Sequence, residues 1–160
     1  MTTTGTTHLP ALGSHQREEV GGQLQATLVE LVDLSLLGKQ LHWNVVGPFF
    51  RALHLQLDEL VDSWRDLGDT VAERAVALGY FPDGQAGALA RADLAGVERG
   101  PIDDDKVVQF LSERLADVTE RIRERMDRIG EIDLASQDVL IEVVRELEKQ
   151  LWMIRVQLAS

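Results

Sequence analysis

No cysteine occurs among the 160 residues, which rules out disulfides, thiolate metal sites and cysteine nucleophiles. No apolar run approaches the ~20 residues that a membrane span needs. The first twenty residues are rich in Thr and lack the apolar stretch of a signal peptide. A cytoplasmic protein without a membrane partner is therefore expected. Basic residues are also scarce, with 16 Lys and Arg against 27 Asp and Glu and a formal net charge of -11. That balance disfavours binding to a phosphate backbone and suits cations. No strand period, β-hairpin signal or internal repeat is found. What is present is a 44% apolar chain, long enough for one domain that buries about 70% of its unfolded surface.

Residues 1–17 (MTTTGTTHLPALGSHQR) read as a flexible lead-in, because Thr, Gly and Pro dominate and no period is sustained. Residues 18–160 read as one domain carrying four long amphipathic helices. The first runs from about Val20 to Val46 and stops at Gly47-Pro48. The second runs from about Phe50 to Leu78, with Leu53, Leu57, Leu60, Trp64, Leu67 and Val71 stepping by three or four. Gly68 lies inside it, costs about 1 kcal/mol relative to Ala, and is the candidate position for a kink. The third starts near Asp103-Asp104-Asp105, whose carboxylates complement the positive helix end, and stops at Gly130. The fourth starts near Ser136, a good N-cap, and continues through Leu158.

Connection lengths decide the topology. The first and third links are a few residues long and make antiparallel neighbours. The second, Gly79 to Ile102, exceeds twenty residues and can span a helix ~40 Å long. Helices two and three can then run parallel. The expected fold class is all-α: a ferritin-like four-helix bundle with one long crossover, carrying a short extra helix at Leu94–Val97.

The chemistry concentrates between Gln40 and Arg74. His42 sits near the end of helix one. Helix two carries His54 and Asp58 one turn apart, then Asp69 and Glu73 one turn apart. Residues four apart share a helix face, so each pair can offer two ligands to one ion. Imidazole with carboxylate suits a divalent transition metal such as iron. Each residue alone has an ordinary structural explanation: His42 beside Trp43 as a core histidine, His54 between Leu53 and Leu57 as packing, Asp69 and Glu73 as solvated surface. One helix cannot unite the pairs, because Asp58 and Asp69 are separated by a rise of roughly 16 Å. Both Asp58/Asp69 and His54/Glu73 are centred midway between Ser63 and Trp64. Two such helices crossing antiparallel there would set each His54/Asp58 pair beside the partner's Asp69/Glu73, and an isologous dimer supplies that symmetry.

The stretch HWNVVGPFFRALHLQLDELVDSWRDLGDTVAER resembles the signature of the Dps family (DNA-binding protein from starved cells), small relatives of the ferritins. SQDVL and LEKQLWMIR are similar to the family's last helix, so the likeness covers roughly residues 20–158. Ordinary ferritins use a Glu-x-x-His pair, and none occurs here. The resemblance implies a hollow homo-dodecamer with ferroxidase centres between subunits, each ligated by His42, His54, Asp58, Asp69 and Glu73. It implies two irons per filled site, cycling Fe2+ to Fe3+. The partners implied are Fe(II) with hydrogen peroxide, the preferred oxidant, or dioxygen. Ferric mineral would be stored and DNA spared oxidative damage, in the cytoplasm, with or without association with the nucleoid.

Further expectations attach to single residues. Asp138 is the candidate for a three-fold pore that admits Fe(II), with Glu131, Asp133 and Glu142 as weaker candidates. Glu59 and Asp62 are candidates for mineral nucleation, with a solvated face as the alternative. Trp43, next to a ligand, is the candidate radical sink, whereas Trp64 and Trp152 read as packing residues. Helix three carries Arg114, Arg121, Arg123, Arg125 and Arg128, with interleaved acids at i+3 or i+4 available as partners. His8 and His15 belong to the lead-in. DNA binding is expected to be weak or absent, because residues 1–16 hold no Lys or Arg and the RVQLAS end has no basic tail. A DNA-coating scaffold, and a metal-holding dimer without turnover, are the competing functions.

Overall fold

A computed structural model describes residues 8–92 and 94–158. The elements are α1 (Ser14–Asn44), β1 (Val45–Val46), α2 (Phe50–Ala77), α3 (Ala86–Ala92), β2 (Ile102–Asp103), α4 (Asp104–Gly130) and α5 (Leu134–Arg155), with a 3-10 turn at Val156–Leu158. The helix α1 begins inside the stretch read as lead-in, where the Gly13 N–H donates to Gln16 Oε1 at 2.9 Å. Residues 1–7 of that stretch lie outside the described residues.

The helices pack as two hairpins, α1 with α2 and α4 with α5, and α1 also flanks α4 while α2 flanks α5. The core is the meeting of four apolar stripes: Leu24, Leu31 and Leu41 of α1, Leu57 and Trp64 of α2, Leu111 and Ile122 of α4, and Leu140 and Leu147 of α5, all fully buried. Each such leucine contributes about 1.5–3 kcal/mol. Trp64 satisfies its indole by donating to Gln150 Oε1 at 2.7 Å. Gly38 permits the close approach of α1 to α2, since a Cβ there would stand 2.6 Å from Val61 and 2.7 Å from Trp64. No break occurs at Gly68: α2 is continuous, and Gly68 is buried against Leu28 and Leu31 of α1.

Three expectations change. The extra helix lies at Ala86–Ala92, not at Leu94–Val97, because AGALARA holds six strong helix formers and a single Gly, whereas LAGV is short and pairs Gly96 with the β-branched Val97. The fourth long helix starts earlier, with Asp133 as N-cap; its carboxylate accepts the Ser136 N–H at 3.2 Å. A parallel pairing, Val45 with Ile102 and Val46 with Asp103, joins β1 to β2, where no strand was expected; two residues are too few to leave an alternating pattern. This pairing brings the start of α4 to the pole where α2 starts, so α2 and α4 run parallel and the crossover spans the bundle.

The same pole holds the elbow between α1 and α2. Asp104, buried, accepts the Phe49 N–H at 2.7 Å and the Asp105 N–H at 3.0 Å. Gly47 sits against that carboxylate with φ 130°, and a Cβ on it would lie 2.5 Å from the carboxyl carbon. Only glycine tolerates both the conformation and the contact.

Candidate metal centre

The elbow aims two imidazoles at each other. The rings of His42, buried at the end of α1, and His54, half-buried in the first turns of α2, stack with centroids 3.6 Å apart and planes 19° from parallel. His42 Nδ1 is 2.8 Å from the His54 carbonyl oxygen, and His54 Nδ1 is 2.9 Å from the His42 carbonyl oxygen. A carbonyl can only accept, so each Nδ1 carries the proton and donates. In the neutral rings both Nε2 atoms then keep their lone pairs, the form in which imidazole binds a metal.

Asp58, one turn beyond His54, has its Oδ1 3.4 Å from His42 Nδ1 and accepts a hydrogen bond from Lys39 Nζ at 2.5 Å. The Lys39 ammonium beside Asp58 holds its carboxyl below the usual range. That hydrogen bond outweighs desolvation, and the charges of His42, Lys39 and His54 add to it. His42, His54 and Asp58 are thus gathered by one chain.

Asp69 and Glu73 are not gathered with them. Both are exposed on α2, and among the described residues neither has a hydrogen-bond or ion-pair partner. Asp69 borders an open cleft of about 500 Å³ between α1 and α2, which Leu28, Val32, Leu36 and Ala72 also line. Within one chain, no three His, Asp or Glu side chains among the described residues are disposed to hold an ion.

The remaining candidates are scattered. Trp43, next to His42, is 67% exposed, and Trp152 is also exposed, so only Trp64 of the three tryptophans is a buried packing residue. Asp138 is exposed and lines a cleft of about 690 Å³ between α2 and α5, with Ser63, Asp66, Glu142, Arg145 and Glu146. Glu131 is exposed at the end of α4. Asp133 is engaged instead, accepting from Arg74 at 2.8 Å and from Ser136. Burial pushes its carboxyl up, but those hydrogen bonds and the Arg74 charge bring it below the usual value. Glu59 is exposed, and Asp62 lies 3.9 Å from Arg65. His8 is exposed, and His15 stands 4.0 Å from Glu19.

Among the described residues, four of the five α4 arginines pair outside their own helix. Arg121 and Arg125 both clamp the buried Glu30 of α1, Arg114 holds Asp33 at 2.8 Å, and Arg123 holds Glu148 of α5 at 2.5 Å. Sequence reasoning passed over Lys39 and Arg74 as site neighbours, and it saw Asp104 only as a helix-end carboxylate. Lys39 had a signal, since it precedes His42 by three and shares its helix face.

The ferritin-like domain family matches residues 22–160. The DNA protection during starvation protein of Mycolicibacterium smegmatis is 36% identical over 155 residues, covering 95% of this chain and 84% of that protein. DNA protection during starvation protein 2 of Deinococcus radiodurans is 35% identical over 155 residues, covering 96% of this chain and 64% of its own length. A solved structure of Dps from Microbacterium arborescens in the high iron form superposes with a TM-score of 0.90 at 31% identity, covering 96% of this chain and all of that one.

Proposed function

This chain belongs to the Dps family of ferritin-like proteins, and from that premise we propose that it is a ferroxidase and iron store whose sites are shared between two subunits. One observation carries the reading: four α2 ligands lie on one stripe about one midpoint, yet the two halves cannot meet within a chain. A second copy crossing at Ser63 and Trp64 completes each site.

In that site Fe(II) is the substrate. The Nε2 atoms of His42 and His54, left as the free nitrogens of the neutral rings by the reciprocal Nδ1 bonds, and the carboxylate of Asp58 come from one subunit. Asp69 and Glu73 of the partner subunit supply further carboxylate oxygens, which suit Fe(III) after oxidation. Two Fe(II) ions give two electrons to one hydrogen peroxide, which takes up two protons and leaves as two waters, so no hydroxyl radical is released. Lys39 holds Asp58 ionised until iron displaces the ammonium. Trp43 is the donor for stray one-electron oxidants.

Around this centre the reading places a closed shell of twelve chains, in which Asp138 admits Fe(II) and Glu59 nucleates mineral. The high iron form of the Microbacterium arborescens relative supports iron as the cargo. DNA is protected by removal of iron and peroxide. The arginines paired with Glu30, Asp33 and Glu148 support that order over a DNA coat.

The test is anaerobic titration of Fe(II)-loaded protein with peroxide, followed by sizing of the assembly. Two irons oxidised per peroxide in a particle of twelve is expected; a stable dimer, or no acceleration over free iron, contradicts it. Asp138→Asn should slow uptake at low ionic strength without altering assembly. A gel shift in metal-free buffer at about 0.15 M salt, which screens exposed charges, should show no tight DNA retention.

A further inference from the structure

Asp62 and Arg65 lie on the ligand stripe of α2 but have no place in the ligand set. Their side chains are 78% and 54% exposed, and the 3.9 Å between Arg65 Nη1 and Asp62 Oδ1 is too long for a hydrogen bond. Such a pair within one exposed helix is worth little. Its position is less ordinary. Asp62 and Arg65 are centred midway between Ser63 and Trp64, as are Asp58/Asp69 and His54/Glu73. At 100° per residue all three pairs have the same mean direction, so they face whatever α2 meets.

The inference rests on the shared-site reading above. When two copies of α2 cross antiparallel at that midpoint, His54 meets Glu73, Asp58 meets Asp69, and Asp62 meets Arg65. The Asp58–Asp69 meeting opposes two acids and needs a cation; Asp62 with Arg65 is opposite in sign and needs none. We propose that Asp62 of each subunit pairs with the partner's Arg65, twice about the two-fold axis, and that this four-charge lock fixes the register in which both iron sites close.

The physical case is one of place and surroundings. Each of the two residues is about 2 Å along the helix from the midpoint, where crossing helices are closest, at 8–10 Å between axes. Aspartate and arginine side chains together reach across that gap. Arg65 borders the open cleft lined by Leu28, Val32, Leu36 and Ala72. Leu36 and Leu55 are about half exposed on the same side of the hairpin. A second copy seated there excludes water, and charge pairs at interfaces couple more strongly than exposed ones. A register slip of one residue parts Asp62 from Arg65, setting it against Asp66 or Trp64, and carries Asp58 away from Asp69. Asp62 and Arg65 are positioning residues that touch no iron, and Asp62 is thereby withdrawn from mineral nucleation.

Charge reversal tests this on the full chain. Asp62→Arg alone and Arg65→Asp alone each set like charges about the axis. Each should weaken the dimer at least about tenfold at low salt, with a matching loss of peroxide-driven Fe(II) oxidation and unchanged helical circular dichroism. Mixing the two variants places two positive positions against two negative ones, so mixed dimers should form preferentially and regain oxidation, because all five ligands are intact in both chains. The double variant D62R/R65D should also recover. Wild-type assembly of both single variants, or failure of the mixture to recover, overturns the lock. Complementation between His54→Ala and Asp69→Ala chains separates the two ideas: recovery there with unaffected D62R leaves the shared site standing and removes only the lock.

Discussion

His54 and Asp58 enter the first turns of α2 already engaged, one stacked on and bonded to His42, the other held by Lys39. Asp69 and Glu73, eleven and fifteen residues beyond Asp58, are exposed and hold no partner among the described residues. In sequence the two halves look alike, each a pair at i and i+4. Their environments differ because only the first lies at an elbow, where a second helix can reach it. One half-site is preorganised by its own chain, at an elbow that requires a glycine at Gly47 and a buried carboxylate at Asp104. The other is bare, and in the proposed dimer a neighbour would complete it.

The largest effect comes from breaking both halves separately. His54→Ala and Asp69→Ala should each slow Fe(II) oxidation by at least about 100-fold, more than the loss of an outer-shell partner. Under conditions that exchange subunits, half of the randomly mixed dimers contain one intact site of two, so about a quarter of the activity should return. No recovery in dimers shown to be mixed would place both halves in one chain. Next is Gly47→Ala, which touches only the prebuilt half. Positive φ and the collision with Asp104 should cost roughly 2–4 kcal/mol in denaturant unfolding at fixed subunit concentration. Gly22→Ala, where a Cβ meets nothing within 4 Å on the same helix pair, should instead stabilise by up to about 1 kcal/mol.

Smaller changes sharpen the contrast. Lys39→Met removes the cation that a metal must displace, so Co(II) binding measured by calorimetry should tighten about threefold; an unchanged affinity would mean that Lys39 never competes. Asp133→Asn probes the far pole. Asp133 titrates below its ordinary value in the folded chain, so its contribution is present above the unfolded pKa of about 3.9 and is lost as pH falls through the lower folded value. The variant keeps a good N-cap but loses the charged partner of Arg74, so it should lose about 1 kcal/mol at neutral pH and show a shallower fall in stability below about pH 4. Iron oxidation at neutral pH should not change.

The helix stops were legible because Gly47-Pro48 and Gly130 are strong local signals, and the apolar stripes were legible because long helices repeat them. The pairing of His54 with Asp58 follows from the same spacing, whereas His42 reaches them from α1 across the elbow, a closeness that no helical period encodes. The elbow's fastening was not legible: Val45 and Val46 pair with residues 57 positions away, and a two-residue pairing has no period. The start of α5 was misplaced because Asp133 and Ser136 are both good caps. The choice falls to Asp133, which Arg74 reaches across from α2. Likewise, nothing local distinguishes an arginine bound for Glu124 from one bound for Glu30; Arg121 and Arg125 turn to α1 because their helix packs against it.

The tie between Phe49 and Asp104 also has a consequence in time. A hairpin of two helices closes over a short loop and can form within microseconds. The bond from the Phe49 N–H, however, waits for a residue 55 positions downstream, so the crossover loop must be closed first. On a ribosome the α1–α2 hairpin emerges well before Asp104 does, with its elbow not yet fastened to α4. A growing chain therefore carries its stacked histidines, which are bonded to each other within the hairpin, on an elbow that is fastened to the rest of the bundle only once the start of α4 has been made.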